Sequence, residues 1–422
     1  MREMKDSGIE WIGYIPKNWN MSKIGSLYTK RNEKVSDKEY QPLSVTMQGV
    51  LPQLASAAKT DDGDNRKLVR VGDFAINSRS DRRGSCGISP LDGSVSLINI
   101  ILTPRTTMHS GYYDWLFHTT LFADEFYKWG HGIVADLWTT RWQEMKSICV
   151  PVPEYAEQKH ISEFLDSECA EIDAVLEKTR ASINEYKKLK QAVITQAVTK
   201  GIRGDRPMKD SGIEWTSSIP YDVSISRIGL HFNIILGKML CLTPLDETYT
   251  LESYYCAADV HFEGISKGEK KRMWFNPTEK QQYLVNNGDL LVVEGGAGAG
   301  GCAIVRENDK QMFIQNSIMI VRPKEQSSTR YLRYLMECFV KQGYIDVVCN
   351  KATIPHFTKD KLSTMPYIVF SVDEQKEIAD YLDVKCAEID NLISKKEQYI
   401  TEIENYKKSL IYEYVTGKKE VD

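Results

Sequence analysis

The chain has 422 residues, 42% of them apolar and 27% charged, with a formal net charge of −4. This is the composition of a globular protein with room for two or more cores, and it excludes a disordered chain. There is no run of eighteen apolar residues and no signal core behind the polar Met1-Arg-Glu-Met-Lys-Asp start, so a cytoplasmic protein without membrane spans is expected. The nine cysteines are scattered singly with no Cys-x-x-Cys pair, which predicts buried free thiols rather than a zinc site.

From the N-terminus, Met4-Lys-Asp-Ser-Gly-Ile-Glu-Trp11 returns letter for letter as Met208 to Trp215. Ile15-Pro16 matches Ile219-Pro220, and Glu157-Gln158-Lys159, Leu165-Asp166 and Glu171-Ile172-Asp173 return as Glu374-Gln375-Lys376, Leu382-Asp383 and Glu388-Ile389-Asp390. Two copies of one unit with constant ends and unlike middles suggest a shared frame carrying two different reading heads. Residues 21–150 hold 16 Lys and Arg against 14 Asp and Glu, and 221–373 hold 17 against 17, so the acidic excess lies in the repeated segments. That distribution permits nucleic-acid binding by the middles without demanding it.

In the first middle, Val69-Arg-Val-Gly72-Asp73-Phe-Ala-Ile76 predicts a Gly-Asp turn leading into a buried strand, and Ile98 to Arg105 a second strand. Between them, Asn77, Arg79, Ser80, Arg82 and Arg83 form a loop of clustered guanidinium groups and small polar residues. Arginine forks suit phosphate or the guanine edge, making this the leading DNA-contact candidate, although a solvated loop has the same composition. A helix is expected over Tyr112 to Trp129. Trp138, Arg141 and Trp142 suit core packing and surface cover better than base stacking.

From Tyr155 to about Thr199, apolar residues at Ile161, Leu165, Ile172, Val175, Ile183, Tyr186, Leu189, Val193 and Ala197 form one helical stripe, opened after Pro153 and closed by Gly201. Ile378, Leu382, Ile389, Leu392, Ile400, Ile403, Tyr406, Leu410 and Tyr414 repeat it, with Ser371 and Glu374 as a capping box and Gly417 as the stop. Helices of this length span on the order of 65 Å. The simplest cover for each stripe is the other helix, as an antiparallel intramolecular coiled coil.

The second middle offers Leu284 to Val293 as a Gly-Asp turn and buried strand, Asn316 to Pro323 as the second strand, and a helix over Thr329 to Gln342. Its intervening loop is Glu294-Gly-Gly-Ala-Gly-Ala-Gly-Gly301. This is no dinucleotide fingerprint, because Cys302 to Val305 reads as a returning strand where the fingerprint needs a helix. A bare backbone there, at Gly298 above all, could approach a DNA backbone closely. Lys270, Lys271 and Arg272 with Trp274, and Asn350 and Lys351, are further phosphate-contact candidates. No phosphate loop, nucleophile elbow, Asn/Asp-Pro-Pro-Tyr/Phe methyltransferase signature or nuclease acid cluster occurs, so catalysis is not expected in this chain.

The ordered recurrence of Lys-Asp-Ser-Gly-Ile-Glu-Trp with Gly13-Tyr-Ile-Pro16, the Gly-Asp turns, the Glu-Gln-Lys helix openings and the endings Ala197-Val-Thr-Lys-Gly201 and Tyr414-Val-Thr-Gly417 resembles the specificity subunits of type I restriction-modification enzymes over essentially the whole chain. The resemblance implies an α+β fold: two mixed α/β target recognition domains (1–154 and 205–372) in pseudo-twofold tandem repeat, separated by two long helices (155–204 and 373–422). It implies as partners double-stranded DNA, two modification subunits and the restriction subunits, with no cofactor in this chain. S-adenosylmethionine, ATP and Mg would sit on the partners. Two unlike heads on such a ruler would read half-sites about one helical turn, roughly 34 Å, apart. The second copy departs from the pattern where Thr216-Ser-Ser218 replaces Ile12-Gly-Tyr14, Val223 replaces Trp19 and Phe370-Ser-Val replaces Pro151-Val-Pro153. Those changes put equal docking of the two halves in question, and the low net charge predicts weak DNA binding by the isolated chain. A coiled-coil scaffold or adaptor pairing two protein-binding domains is the alternative from a different class.

Overall fold

The computed structural model describes residues 2–53, 62–132, 138–306, 311–324, 327–349 and 355–421. The chain divides into two compact units, one of Met1–Arg180 with Lys396–Asp422 and the other of Ala181–Lys395. Each long helix is therefore shared between units, so that neither copy of the repeat is complete in itself.

In the first unit the elements run β1 Asn20–Lys23, β2 Tyr28–Arg31, β3 Phe74–Asn77, β4 Cys86–Ile88, β5 Asn99–Pro104, α1 Ser110–Phe117, α2 Thr120–Lys128, β6 Cys149–Val152 and the helix α3 Tyr155–Lys200. The second unit provides β7 Ser224–Arg227, β8 Phe232–Leu236, β9 Thr250–Tyr255, β10 Arg272–Phe275, β11 Leu290–Val293, β12 Cys302–Ile304, β13 Ile318–Pro323, α4 Thr329–Lys341, β14 Pro366–Val369 and the helix α5 Val372–Val415. Both units build the same antiparallel four-stranded sheet, β4-β3-β5-β2 in one and β12-β11-β13-β8 in the other. A smaller ladder pairs β6 with β1 and β14 with β7. The tandem duplication is thus structural, and the α+β class holds.

Gly72 and Gly288, at φ of 86° and 85°, make the expected turns, and the aspartates after them are buried. Asp73 accepts from Arg31 on β2 at 2.8 and 3.1 Å, whereas Asp289 accepts from Arg322 on β13 at 2.8 Å to each oxygen. The same buried charge is balanced in both copies by a cation from a different strand. A buried carboxylate left alone would be costly, so either solution is acceptable to the fold.

Where one helix was expected over Tyr112 to Trp129 there are two, α1 and α2. Thr119 breaks the run because its hydroxyl accepts from the Phe122 amide at 3.2 Å, which starts a new helix.

The Glu-Gln-Lys openings are junctions rather than simple helix starts. Gln158 and Gln375 are buried at 3% and 0% exposure. Their side-chain amides donate to Pro153 O at 2.9 Å and Phe370 O at 2.8 Å, and their carbonyls accept from the His109 and Ser328 amides. In the first copy Glu157 takes Arg2 and the Trp19 indole; in the second, where Val223 has no side-chain N–H, Arg206 grips Glu374 and bonds Asp222 as well. The junction survives the sequence departure by this substitution.

The long helices pair antiparallel within each unit. Asp173 meets Lys407, Arg180 meets Glu404 and Phe164 meets Tyr414 in the first; Lys190 meets Asp390 in the second, where Arg203, just beyond the end of α3, also meets Glu377. The stripe needs correction, however. Val175, Leu189, Leu392 and Tyr406 are exposed, while Leu176, Ile194, Val198 and Ile393 are buried in their neighbourhood. A regular three-and-four spacing drifts around a helix over many turns, which displaces the buried face. Much of that face is moreover covered by the mixed α/β domains: Ile161, Leu165, Leu410 and Val415 join the core of the first unit, and Ile194, Ala197, Ile378 and Leu382 that of the second. All nine cysteines are free, six of them buried, and among the described residues no helix is long and apolar enough to cross a membrane.

Candidate nucleic-acid interface

In both units the loop that leaves the central buried strand is tied to a segment late in the same domain. After β3, the Asn77 amide donates to Ser85 O at 2.9 Å and closes the loop. Ser80 N donates to Trp138 O and Thr140 N to Ser78 O, each at 3.0 Å, and Arg79 forms an antiparallel bridge with Thr139. After β11, Val293 N donates to Gly301 O at 2.8 Å, Gly296 N to Pro355 O at 3.1 Å and Phe357 N to Glu294 O at 2.6 Å, and Gly295 bridges His356. Two unlike sequences take the same two-segment arrangement.

Within the first loop the candidates divide. Asn77 is buried, its Oδ1 accepting from the Arg79 amide at 3.0 Å and its carbonyl from the Tyr127 hydroxyl at 2.9 Å, so its side chain shapes the loop. Burial pushes that tyrosine's pKa up, in keeping with a structural donor. Arg79 and Ser80 are half-buried and Arg83 is ion-paired with Asp124. Arg82, 69% exposed and 3.7 Å from Asp81, its one acidic neighbour among the described residues, is the most available cation of the group. Trp138 donates its indole to Tyr127 O at 2.8 Å, and Trp142 packs on the core, as their composition suggested.

The glycine loop is closed by the returning strand β12, which pairs antiparallel with β11, so no helix opens at it and no pyrophosphate cradle forms. Gly296 and Gly300 need their positive φ of 86° and 80°. Gly298 is exposed, and a methyl there would meet only Val293 Cγ1 at 3.9 Å.

Lys270 does not stand free. Its ammonium donates to Asp259 at 2.6 Å and to Ser266 O at 2.6 Å and lies 5.5 Å over the Tyr255 ring. Burial alone would raise the pKa of Asp259, but the Cys256 amide and Lys270 outweigh it and hold the carboxyl below its usual range. Lys271 and Arg272 are exposed, and β10 belongs to the sheet of β9 and Phe313–Ile314, not to the one bearing the glycine loop. Topology therefore does not unite this cluster with Gly298. Asn350 and Lys351 lie outside the described residues. Sequence reasoning named Trp138 but did not join it, Thr139 or His356 to these loops.

Residues 268–405 match the family model of the type I restriction modification DNA specificity domain. The match lies wholly within the second half of the chain. The matched stretch takes in the glycine loop, β13, α4 and most of α5, and the family is the one the sequence motifs resembled. The specificity subunit of the type I restriction enzyme MjaVIII from Methanocaldococcus jannaschii is 24% identical over 288 residues, covering 65% of this chain and 62% of that relative, which is less than two thirds of the relative's length. A chain from a structure concerned with complex assembly and conformational transition of the type I R-M system has a TM-score of 0.74 at 14% identity, covering 96% of this chain and 99% of that one. The HsdS subunit from Thermoanaerobacter tengcongensis gives 0.55 at 15% identity, covering 96% and 98%. At these identities the likeness is one of fold, and it extends over 96% of this chain.

Proposed function

We propose that the chain is the sequence-specific DNA-recognition subunit of a type I restriction-modification complex, without catalysis of its own, in which each mixed α/β domain reads one half of a split target. The observation that carries this is one sheet built twice with unlike loops leaving its central strand, arginine-rich at 79–83 and side-chain-poor at 295–301. A duplicated frame with unlike loops is what an asymmetric, two-part target calls for. Arg79, Arg82, Lys271 and Arg272 would carry phosphate or base-edge contacts, and Gly298 would admit the duplex backbone. Lys270, engaged by Asp259, supports the fold of that region instead.

The long helices would set the spacer between the half-sites and dock two modification subunits. Apolar side chains left uncovered on them, Val175 and Tyr399 in the first unit and Val384 and Leu392 in the second, suit a protein partner. S-adenosylmethionine, ATP and Mg would enter with the modification and restriction subunits.

The test is coexpression with the modification subunit in an unmethylated host, followed by mapping of modified adenines. A split motif is expected, one part changing when residues 21–150 are exchanged and the other when 221–370 are. A continuous motif, or one indifferent to both exchanges, overturns the reading.

A further inference from the structure

The glycine loop poses a chemical difficulty for the DNA-reading function on which this inference rests. From Gly295 to Gly301 it offers no side chain larger than a methyl, hence no side-chain group that can hydrogen-bond a base edge. The first loop carries its own guanidinium groups; the second must borrow its chemistry from what is packed beside it.

The backbone bonds of that loop identify the lender. Its described backbone partners beyond the flanking strands are Ser317, Pro355, His356 and Phe357, and of these His356 alone is both polar and exposed, Ser317 being half-buried. A methyl at Gly295 would come within 3.3 Å of the His356 Nδ1, so the glycine makes room for the imidazole. The residue is held on both sides, by Gly296 N on Pro355 O at 3.1 Å and Phe357 N on Glu294 O at 2.6 Å. Its own carbonyl accepts from Lys361 Nζ at 2.7 Å and from the Cys349 thiol at 3.2 Å. A backbone fixed at so many points spares binding the cost of ordering the segment that presents the imidazole.

We propose that His356 is the base-reading side chain of the second domain, presented by the bare loop and donating an imidazole N–H to an acceptor on a purine edge in the major groove. The glycines then serve clearance, letting the groove wall approach while the histidine supplies the specificity. By the same topology Thr139 and Trp138 flank Arg79 in the first domain, so that each reading surface is composite.

The experiment compares wild-type chain with His356→Ala and His356→Gln, each coexpressed with the modification subunit, by genome-wide mapping of modified adenines and by thermal melting. We expect unchanged melting, an intact first half-motif, and relaxed preference at one base pair of the second half-motif by roughly tenfold in His356→Ala. The Gln variant, which keeps a donor, should retain part of the preference or shift it. A split motif with per-base preferences identical in all three proteins overturns this assignment alone. A wild-type complex that yields no split motif overturns the functional reading and this assignment with it.

Discussion

The hydroxyl of Tyr112 donates to the backbone carbonyl of Val415 at 2.7 Å across 303 residues of sequence, and both residues are fully buried. Its counterpart in the other unit is Tyr331, whose hydroxyl lies 3.1 Å from Val198 O and 3.0 Å from Ile368 O. Each domain thus anchors the end of the helix that belongs to the other copy. Burial pushes the pKa of both phenols well up, so they remain donors throughout the physiological range.

Tyr112→Phe leaves the Val415 carbonyl without this donor in a dry environment. A loss of about 1–3 kcal/mol is expected, read as a lower urea midpoint. Tyr331→Phe should cost less than this, because its one hydroxyl proton is divided between two carbonyls at 3.1 and 3.0 Å. Equal costs for the two variants would contradict that asymmetry.

Two glycines should respond oppositely to alanine. Gly417 sits at φ 69°, and a methyl there would come within 2.5 Å of the Pro16 ring and 2.9 Å of Trp19. Gly417→Ala is expected to destabilise by on the order of 2–4 kcal/mol, from left-handed backbone strain plus overpacking against a rigid ring. Gly298→Ala, with open space around it, should leave the melting temperature within a degree or so of wild type while weakening DNA binding by the assembled complex. Matching melting curves for the two variants would show that the first contact is relieved elsewhere.

Arg82 and Lys270 separate charge that faces solvent from charge already engaged. Arg82→Ala should weaken DNA binding across all sequences and reduce the slope of log affinity against log salt by about one. Lys270→Ala should leave that slope unchanged, since the ammonium is bound to Asp259 and Ser266. Filter binding of the assembled complex over a salt series decides between them.

The same lysine makes a pH prediction. Asp259 has a depressed folded-state pKa, so its pairing contributes stability above the unfolded value of about 3.9, and this contribution is lost as pH falls through the folded one. Lys270→Ala should therefore melt below wild type at pH 7, with the gap narrowing below about pH 4. A gap that widens on acidification would reverse the sign of this argument.

The repeat, the two long helices, the Gly-Asp turns, the buried strands behind them and the resemblance to the specificity family were all legible in the residues. Each depends on short-range physics: helical periodicity, the left-handed φ of Gly72 and Gly288, and apolar runs bounded by turns. Tertiary structure alone decided which copy each helix end would complete, that Arg31 and Arg322 balance the same carboxylate from different strands, that Lys270 is consumed by Asp259, and that His356 stands beside a loop some sixty residues upstream. Those outcomes depend on which groups meet after the chain has folded back on itself. A cation looks the same in sequence whether it faces water or a buried acid, because its energy is set by the neighbours it finds.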